Sequence, residues 1–166
     1  MWRVLDKSVG LSLEIIVLPE VDAKDWEEVI RILGKTLLDR GYVKDTYIDA
    51  TIEREKKCPT GLELAGGINV SLPHADIEHV LQPAMAVARL KHEVEFKRMD
   101  DYESSVMVKM VFMPAITNPR SYVQILKRLT TVFKNPEEVK KLSEASPEEL
   151  KELLAKALLS EEEKKS

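Results

Sequence analysis

The residue whose type and setting most suggest chemistry is His74, which closes the short sequence Ser71-Leu72-Pro73-His74. A neutral imidazole is a good nucleophile near pH 7, because its ordinary pKa is about 6.5 and one ring nitrogen carries a free lone pair. It can therefore take a phosphoryl group. The apolar run and the proline before it predict that His74 lies at the end of a strand, where the chain turns to the surface. By itself, however, a histidine in such a run is more often an ordinary surface or core side chain.

Other patterns that carry chemistry are missing from the sequence. The three histidines, His74, His79 and His92, do not stand with acidic residues at a zinc-ligand spacing such as HExxH. There is no GxxxxGK[ST] phosphate loop, the pair Gly66-Gly67 alone is not a GxGxxG fingerprint, and no serine lies in a GxSxG elbow. We therefore expect no metal site, no ATP or NAD bound by these routes, and no serine-hydrolase centre.

The bulk composition favours one domain that does not bind nucleic acid. With 166 residues, of which 44% are hydrophobic, the chain can build one sizeable core. Its formal charge of −4 is spread over mixed acidic and basic residues, without a basic stripe for a phosphate backbone. The longest apolar stretches, at 13–18 and 106–115, fall short of the roughly 20 residues that span a bilayer, and the N-terminus lacks the features of a signal peptide. We expect a cytoplasmic protein, in which the single Cys58 is a reduced loop thiol.

The elements that must position His74 follow from hydrophobic periodicity. Residues 11–18 predict a strand that stops at Pro19, and residues 105–113 predict a central strand buried on both faces. Short strands are predicted at 68–72 and 84–90, on either side of His74. A helix capped by Asp22 should run to Gly41, and a second, at about 45–56, should carry Arg54 near its C-terminal end. Three more helices are predicted after Asn118-Pro119, Asn135-Pro136 and Ser146-Pro147, with Glu149 completing a capping box.

These elements predict a single α/β domain over residues 1–159, with a mixed β-sheet flanked by helices on both faces. The stretch CPTGLELAGG at 58–67 is dense in proline and glycine and predicts a loop with unusual backbone angles. The tail at 160–166, mostly Glu and Lys, has no apolar residue to bury, so we expect it to be disordered.

An ordered series of short motifs around His74 gives that histidine its significance. The motifs are Arg54-Glu55-Lys56, Pro59-Thr60-Gly61, Gly66-Gly67-Ile68 and Val70-Ser71-Leu72-Pro73-His74-Ala75. The series closely resembles the signature of the fructose/mannitol class (type 2) of enzyme IIA domains of bacterial sugar phosphotransferase systems, where an Arg-Glu stretch and a Thr-Gly loop lead to a strand ending in Pro-His. Downstream segments at 79–84, 111–113 and 125–129 look most like the galactitol-type branch, and the resemblance spans residues 10–158.

The resemblance implies an enzyme IIA fold and a phosphoryl relay. The phosphocarrier protein HPr phosphorylates the histidine of such a domain, which passes the group to a cysteine of its IIB partner, and the membrane component IIC serves the sugar later. In this family the accepting atom is Nε2, so His74 Nε2 is the predicted acceptor, with Nδ1 held by a backbone or side-chain partner that the sequence does not identify.

Arg54 matches the arginine that supports the phosphorylated histidine in the family. The physics agrees, because a phosphoryl group in transit spreads negative charge over its oxygens and a guanidinium offers two parallel hydrogen bonds to them. Thr60 and the backbones of Gly61 and Gly67 are weaker candidates for further donors. The alternative for Arg54 is an ordinary solvated charge at a helix end.

The sequence departs from the family at one point. Mannitol-type members carry a second histidine near the start of the helix after the central strand, and this chain has Asn118-Pro119-Arg120-Ser121-Tyr122 there. Either Arg120 or Tyr122 could take its place as a donor, or the site works without one. Arg120 would supply charge, whereas Tyr122 is in register with the apolar face of the helix and is at least as well explained as a core residue.

The remaining residues suggest no second site, although two other functions stay open. His79 and His92 match no catalytic position of the family, and Cys58 lacks the phosphate-binding loop in which a IIB cysteine stands. The chain could instead be a regulatory sensor of phosphorylation state, like the nitrogen-related members of the class, or a non-catalytic interaction domain. The galactitol-like segments favour transport, and intact Pro73-His74 and Arg54 argue against a non-catalytic domain.

Overall fold

A mixed five-stranded β-sheet forms the centre of the protein. The computed structural model describes residues 2–6 and 11–158, so the predicted disordered tail at 160–166 lies outside the described residues. The strands of the described part are β1 Trp2–Asp6, β2 Leu11–Val21, β3 Val70–Ser71, β4 Ala84–Lys97 and β5 Ser105–Ala115, in the order β1-β2-β4-β5-β3. The pairs β1–β2 and β4–β5 are antiparallel, and the pairs β2–β4 and β3–β5 are parallel. The predicted mixed sheet is confirmed.

Helices cover both faces of this sheet. They are α1 Trp26–Asp39, α2 Tyr47–Lys57, α3 Pro119–Phe133, α4 Pro136–Glu144 and α5 Pro147–Leu158, with a 3-10 turn at Ile77–His79. Because successive strand residues point to opposite faces, Ala84 and Ala86 of β4 enter one core with α1 and α2, while Met85 and Val87 enter a second core with α3, α4 and α5. The α/β class with helices on both faces is confirmed. No helix in the described part of the chain is long and apolar enough to cross a membrane.

Side-chain caps set the starts of the helices. Asn118 and Asn135 accept backbone N–H groups at the starts of α3 and α4, and Ser146 Oγ accepts the Glu149 N–H at 3.2 Å, as predicted. The prediction for α1 was wrong: its cap is Asp25, not Asp22. The carboxylate of Asp25 reaches the Glu28 N–H three residues on, so the helix begins one turn later.

The strands differ from the predicted ones in length and place. Strand β2 passes Pro19 and ends at Val21, because a register shift between Leu18 and Val21 accommodates a residue without an N–H. Strand β3 has only two residues, whereas β4 continues to Lys97 and takes the central position that was predicted for β5. The first half of β5 alternates between exposed and buried, and only its last six residues are all buried.

The parallel pairing of β3 with β5 brings two distant segments together. Val70 lies beside Met110 and Ser71 beside Val111, so both strands end at the same edge of the sheet. The segment around His74 and the start of α3 therefore meet at this edge, as loops do at the carboxyl ends of parallel strands. The loop before β3 is held against β4, where a Cβ on Gly61 would lie 2.6 Å from the Lys97 carbonyl oxygen, and Gly67 has φ +83. The predicted unusual backbone is confirmed.

Candidate active site

His74 stands on the loop that follows β3, with its ring half-buried. Its Nδ1 lies 2.7 Å from the carbonyl oxygen of Leu72. Because a carbonyl oxygen only accepts, Nδ1 carries the proton in this bond and Nε2 keeps its lone pair. The Leu72 carbonyl is thus the ring partner that the sequence did not identify, and it leaves Nε2 as the nucleophilic nitrogen.

Tyr122 forms a wall against the histidine ring. The centroids of the two rings are 5.2 Å apart and their planes are inclined by 50°. The Tyr122 hydroxyl has one proton for two carbonyl acceptors, Ala75 at 2.7 Å and Pro114 at 3.1 Å, and burial raises its pKa. Tyr122 therefore ties the His74 loop to the end of β5, and its hydroxyl proton is already engaged in the protein.

Arg54 lies in the last turn of α2 and faces the same hollow as His74. Its Nη1 is 3.7 Å from Oδ1 of Asp76, an ion pair whose side chains are 41% and 72% exposed. Its Nε is buried and has no hydrogen-bond partner among the described residues. A long, exposed ion pair contributes little, so the guanidinium still has donors to offer to an anion beside His74.

The hollow around His74 is small and largely apolar. Its volume is about 300 Å³, and its walls beyond His74 and Arg54 include Ile77, Val123 and Leu126. Val123 is 65% exposed and adds apolar surface to the rim of the hollow. The hollow combines a nucleophile, a cation and an apolar rim.

The electrostatics favour the neutral ring. Burial is the largest cause that lowers the pKa of His74, and the nearby Arg54 charge lowers it further. The hydrogen bond to the Leu72 carbonyl and the Asp76 carboxylate act in the opposite direction. The net pKa is below the ordinary value, so the imidazole is unprotonated at Nε2 at neutral pH.

The three weaker candidate donors are all engaged elsewhere. Thr60 gives both its N–H and its hydroxyl proton to the Glu55 carboxylate. The Gly61 N–H donates to the Lys97 carbonyl oxygen at 3.0 Å, and the Gly67 N–H donates to Leu64 at 3.1 Å. These groups shape the loop before β3, and none of the three residues lines the His74 hollow.

Residues 11–157 match the family model described as "Phosphoenolpyruvate-dependent sugar phosphotransferase system, EIIA 2". The chain belongs to this family of enzyme IIA phosphotransferases. The resemblance to the fructose/mannitol class is thereby confirmed.

Two curated relatives are similar to this enzyme IIA over most of their length. The galactitol-specific EIIA component of Escherichia coli K12 is 30% identical over 139 residues, which is 84% of this chain and 91% of the relative. The fructose-specific EIIA component of Haloferax volcanii is 32% identical over 158 residues, covering 93% of this chain and 98% of the relative. Among solved structures, the complex of enzyme IIAMTL and phosphorylated enzyme IIBMTL from Escherichia coli aligns with a TM-score of 0.66 at 26% identity, over 84% of this chain and 93% of that one.

The other candidates of the enzyme IIA sequence lie apart from the hollow. Arg120 is exposed in the first turn of α3, directly after Pro119 and two residues before Tyr122, but it does not itself line the hollow as those two residues do. His79 Nδ1 is 2.8 Å from the Thr46 hydroxyl oxygen, His92 is exposed on β4, and Cys58 is an exposed free thiol after α2. The structure thus brings Arg54 and Tyr122 to His74 but not Arg120.

Sequence reasoning missed two acidic residues of the site. Glu55 is buried, and a signal for this existed, because Thr51 and Glu55 stand four residues apart on the apolar side of α2. Asp76 pairs with Arg54 from the loop after His74. No periodicity governs a loop, so the sequence offered no signal for that pair.

Proposed function

We propose that this enzyme IIA accepts a phosphoryl group from phospho-HPr on Nε2 of His74 and passes it to a cysteine of a IIB component. The observation that carries the proposal is the 2.7 Å hydrogen bond from His74 Nδ1–H to the Leu72 carbonyl oxygen, because it leaves Nε2 as the bare nucleophile. The similarity to a solved IIAMTL that is bound to phosphorylated IIBMTL supports a IIB protein as the partner.

Bonds and electron pairs balance in both transfer steps without a metal or a cofactor. The Nε2 lone pair attacks phosphorus, the N–P bond forms, and the bond between phosphorus and the donor atom of HPr breaks with its electron pair left on HPr. Nδ1 keeps its proton throughout, and its bond to the Leu72 carbonyl stabilises the positive charge that the ring gains. In the second step a IIB thiolate attacks phosphorus, the N–P bond breaks, and the neutral ring returns.

Arg54 is the electrostatic partner of this reaction. The equatorial oxygens of the phosphoryl group carry the negative charge of the transition state, and a guanidinium already present in the hollow stabilises that charge. Its exposed ion pair with Asp76 can exchange for the phosphoryl oxygens at small cost. Arg54 therefore acts on the transferring group, and His74 forms the bond.

Arg120 is the candidate for a second cation, supplied when a partner docks. Tyr122 does not fill that role, because its hydroxyl proton is held by the Ala75 and Pro114 carbonyl oxygens. Arg120 is exposed in the first turn of α3, next to Pro119 of the hollow, where it can meet the phosphoryl group or acidic groups of a docked protein. Among the described residues that line the hollow, Arg54 is the single cation.

We assign the chain to a galactitol-type transport system in the cytoplasm, upstream of a membrane IIC component. The galactitol-like segments at 79–84, 111–113 and 125–129 support the branch, and the galactitol-specific relative matches over 91% of its length, although the fructose-specific relative matches over 98% of its own. The regulatory alternative predicts a different partner, so genome neighbours that encode IIB and IIC components would favour transport. Transfer to a galactitol IIB, and not to a mannitol IIB, would separate the branches.

A phosphorylation assay tests the proposal. The protein is incubated with enzyme I, HPr and labelled phosphoenolpyruvate, and then with a galactitol IIB protein. One acid-labile phosphoryl group should appear on the wild type and move to IIB, His74→Ala should remain unlabelled, and the matched control His79→Ala should behave as the wild type. Labelling that persists in His74→Ala would overturn the assignment.

A further inference from the structure

A buried carboxyl group lies directly behind the site. Glu55 is only 5% exposed, although it neighbours Arg54 at the open end of α2. Its carboxylate accepts the Thr60 N–H at 2.8 Å on Oε2 and the Thr60 hydroxyl at 2.9 Å on Oε1. An acidic side chain is almost never fully buried unless it is paired in this way.

The hydrogen bonds between Glu55 and Thr60 continue to the histidine through the backbone of Leu72. Thr60 Oγ1 accepts the Leu72 N–H at 3.1 Å, and the carbonyl oxygen of the same Leu72 accepts His74 Nδ1–H at 2.7 Å. Leu72 is itself 2% exposed, so no solvent replaces these bonds. The hydrogen bonds therefore form one buried series from Glu55 through Thr60 and Leu72 to the His74 ring.

We propose that Glu55 and Thr60 are positioning residues for the phosphoryl acceptor, which fix the Leu72 backbone so that His74 carries its proton on Nδ1 and presents Nε2. This inference rests on the proposed function for its catalytic meaning. Its structural content, the tautomer of the His74 ring, is measurable without any transfer.

The direction of each hydrogen bond follows from what the groups can donate. Thr60 has one hydroxyl proton, and the Glu55 carboxylate, which only accepts, takes it. The lone pairs of Thr60 Oγ1 are then free for the Leu72 N–H, and the orientation of Leu72 sets where its carbonyl oxygen points. Without the Thr60 hydroxyl, a buried Leu72 N–H would be left unsatisfied, and the loop would shift to find another partner.

Glu55 acts only as an acceptor while it is ionised, which holds above its pKa and therefore at pH 8. Burial raises the pKa of Glu55 to about 7, against the opposing effects of the Thr60 hydrogen bonds and the Arg54 charge. One turn of α2 thus supplies Arg54 to the hollow and Glu55 to the interior. The same helix end controls both the charge beside the phosphoryl group and the proton position on the ring.

The ring nitrogens of His74 provide the direct test. In the wild type, ¹⁵N NMR at pH 8 should show Nδ1 protonated and Nε2 bare. Thr60→Val, which keeps the side-chain shape and removes the hydroxyl, should shift the ring towards a mixture of the two tautomers, while Thr60→Ser should restore the wild-type spectrum. The matched control is Thr51→Val, a buried threonine whose hydroxyl donates to the Tyr47 carbonyl oxygen and takes no part in the hydrogen bonds from Glu55 to His74.

Transfer kinetics give the functional readout of the same variants. Thr60→Val should lower the maximal rate of phosphorylation by about tenfold or more, as misplacing a reacting group does. The half-saturating concentration of phospho-HPr should not change, because Thr60 and Glu55 are buried and do not touch a partner. Glu55→Gln, which offers one acceptor oxygen instead of two, should fall between Thr60→Ser and Thr60→Val, with the exposed Glu53→Gln as its control.

The outcomes separate the two proposals. A wild-type ring protonated on Nε2 would overturn the inference without any variant, and so would folded Thr60→Val and Glu55→Gln proteins whose His74 spectrum and rates equal those of their controls. A wild type that takes no phosphoryl group from phospho-HPr would instead overturn the proposed function, and the ring spectra would still decide the positioning role.

Discussion

Two hollows in the described part of the chain use their basic residues in different ways, and one of them has the groups that a phosphoryl-transfer site needs. The hollow at His74 has a volume of about 300 Å³ and contains one cation, Arg54. A second hollow, between β2, β4, β5 and α4, has a volume of about 470 Å³ and contains three, Arg89, Lys91 and Lys109. A count of cations alone would select the second hollow as the anion site.

The partners of these cations explain why the count misleads. Arg89 donates to the carbonyl oxygens of Ser143 and Ala145 at the C-terminal end of α4, where the helix leaves acceptors unpaired. Lys109 donates to the Leu90 carbonyl oxygen. Arg54 has only a long ion pair with an exposed carboxylate. In the larger hollow Arg89 and Lys109 thus hold the fold, whereas in the smaller one Arg54 is left for a ligand.

Of the substitutions that test the difference between the two hollows, Arg54→Ala should have the largest effect. It removes the electrostatic stabilisation of the transferring group, so we expect the rate of phosphorylation to fall about 100-fold. The side chain is 41% exposed and contributes little packing, so the urea midpoint should stay near the wild-type value. Stopped-time labelling with phospho-HPr measures the rate, and an unchanged rate would remove Arg54 from the site.

Arg89→Ala should produce the opposite pattern. The last carbonyl groups of α4 lose a charged donor, so the free energy of unfolding should fall by about 2 kcal/mol. The rate of phosphorylation at a temperature where the variant is folded should equal that of the wild type. Urea titration and the labelling assay together check this, and a rate loss like that of Arg54→Ala would erase the distinction between the hollows.

Tyr122→Phe distinguishes the role of the Tyr122 ring, which lies against His74, from the role of its hydroxyl. The variant keeps the contact with His74 but leaves the Ala75 carbonyl oxygen without its donor, whereas the Pro114 carbonyl oxygen still accepts the Tyr47 hydroxyl. We therefore expect a loss of about 1 kcal/mol in unfolding free energy. Transfer should slow by less than in Arg54→Ala, because the hydroxyl proton does not reach the phosphoryl group. A rate loss larger than that of Arg54→Ala would show Tyr122 to be the missing donor.

The pH dependence should be the mildest effect. The pKa of His74 is lowered, chiefly by burial and also by Arg54, so the reactive neutral ring persists below pH 6.5 and the rate should fall only as the pH drops through the lowered pKa. The unfolded chain takes up this proton first, so the stability associated with His74 is complete above pH 6.5 and declines as the pH falls below that value. NMR titration of the ring checks the pKa, which should rise in Arg54→Ala.

The sequence predicted those parts of the fold that are governed by local rules. Three helix starts were predictable because the capping side chain is itself visible in the sequence, at Asn118, Asn135 and Ser146. The apolar faces of α1 and α3 were predictable from periodicity within each helix, without reference to the sheet. Strand order and strand length depend on pairing between distant segments. The sequence of β3 alone does not predict that it has only two residues, and the sequence of β4 alone does not predict that it lies in the middle of the sheet.

The groups of the site also divide into those that the sequence predicts and those that depend on distant pairing. His74 and Arg54 were predictable because they stand in an ordered motif, and the structure brings both to one hollow. The Leu72 carbonyl was not predictable, because backbone groups have no sequence signature, and the placement of Tyr122 against His74 depends on the parallel pairing of β3 with β5. Arg120 stays a prediction that a docked partner has to test.

The most direct measurement of the central claim is the position of the phosphoryl group on the protein. ¹H, ¹⁵N and ³¹P NMR of the ¹⁵N-labelled protein, phosphorylated by enzyme I and HPr, should show one phosphohistidine at His74 with the phosphorus on Nε2 and the proton on Nδ1. Phosphorus on Nδ1, or on any residue other than His74, would contradict the account.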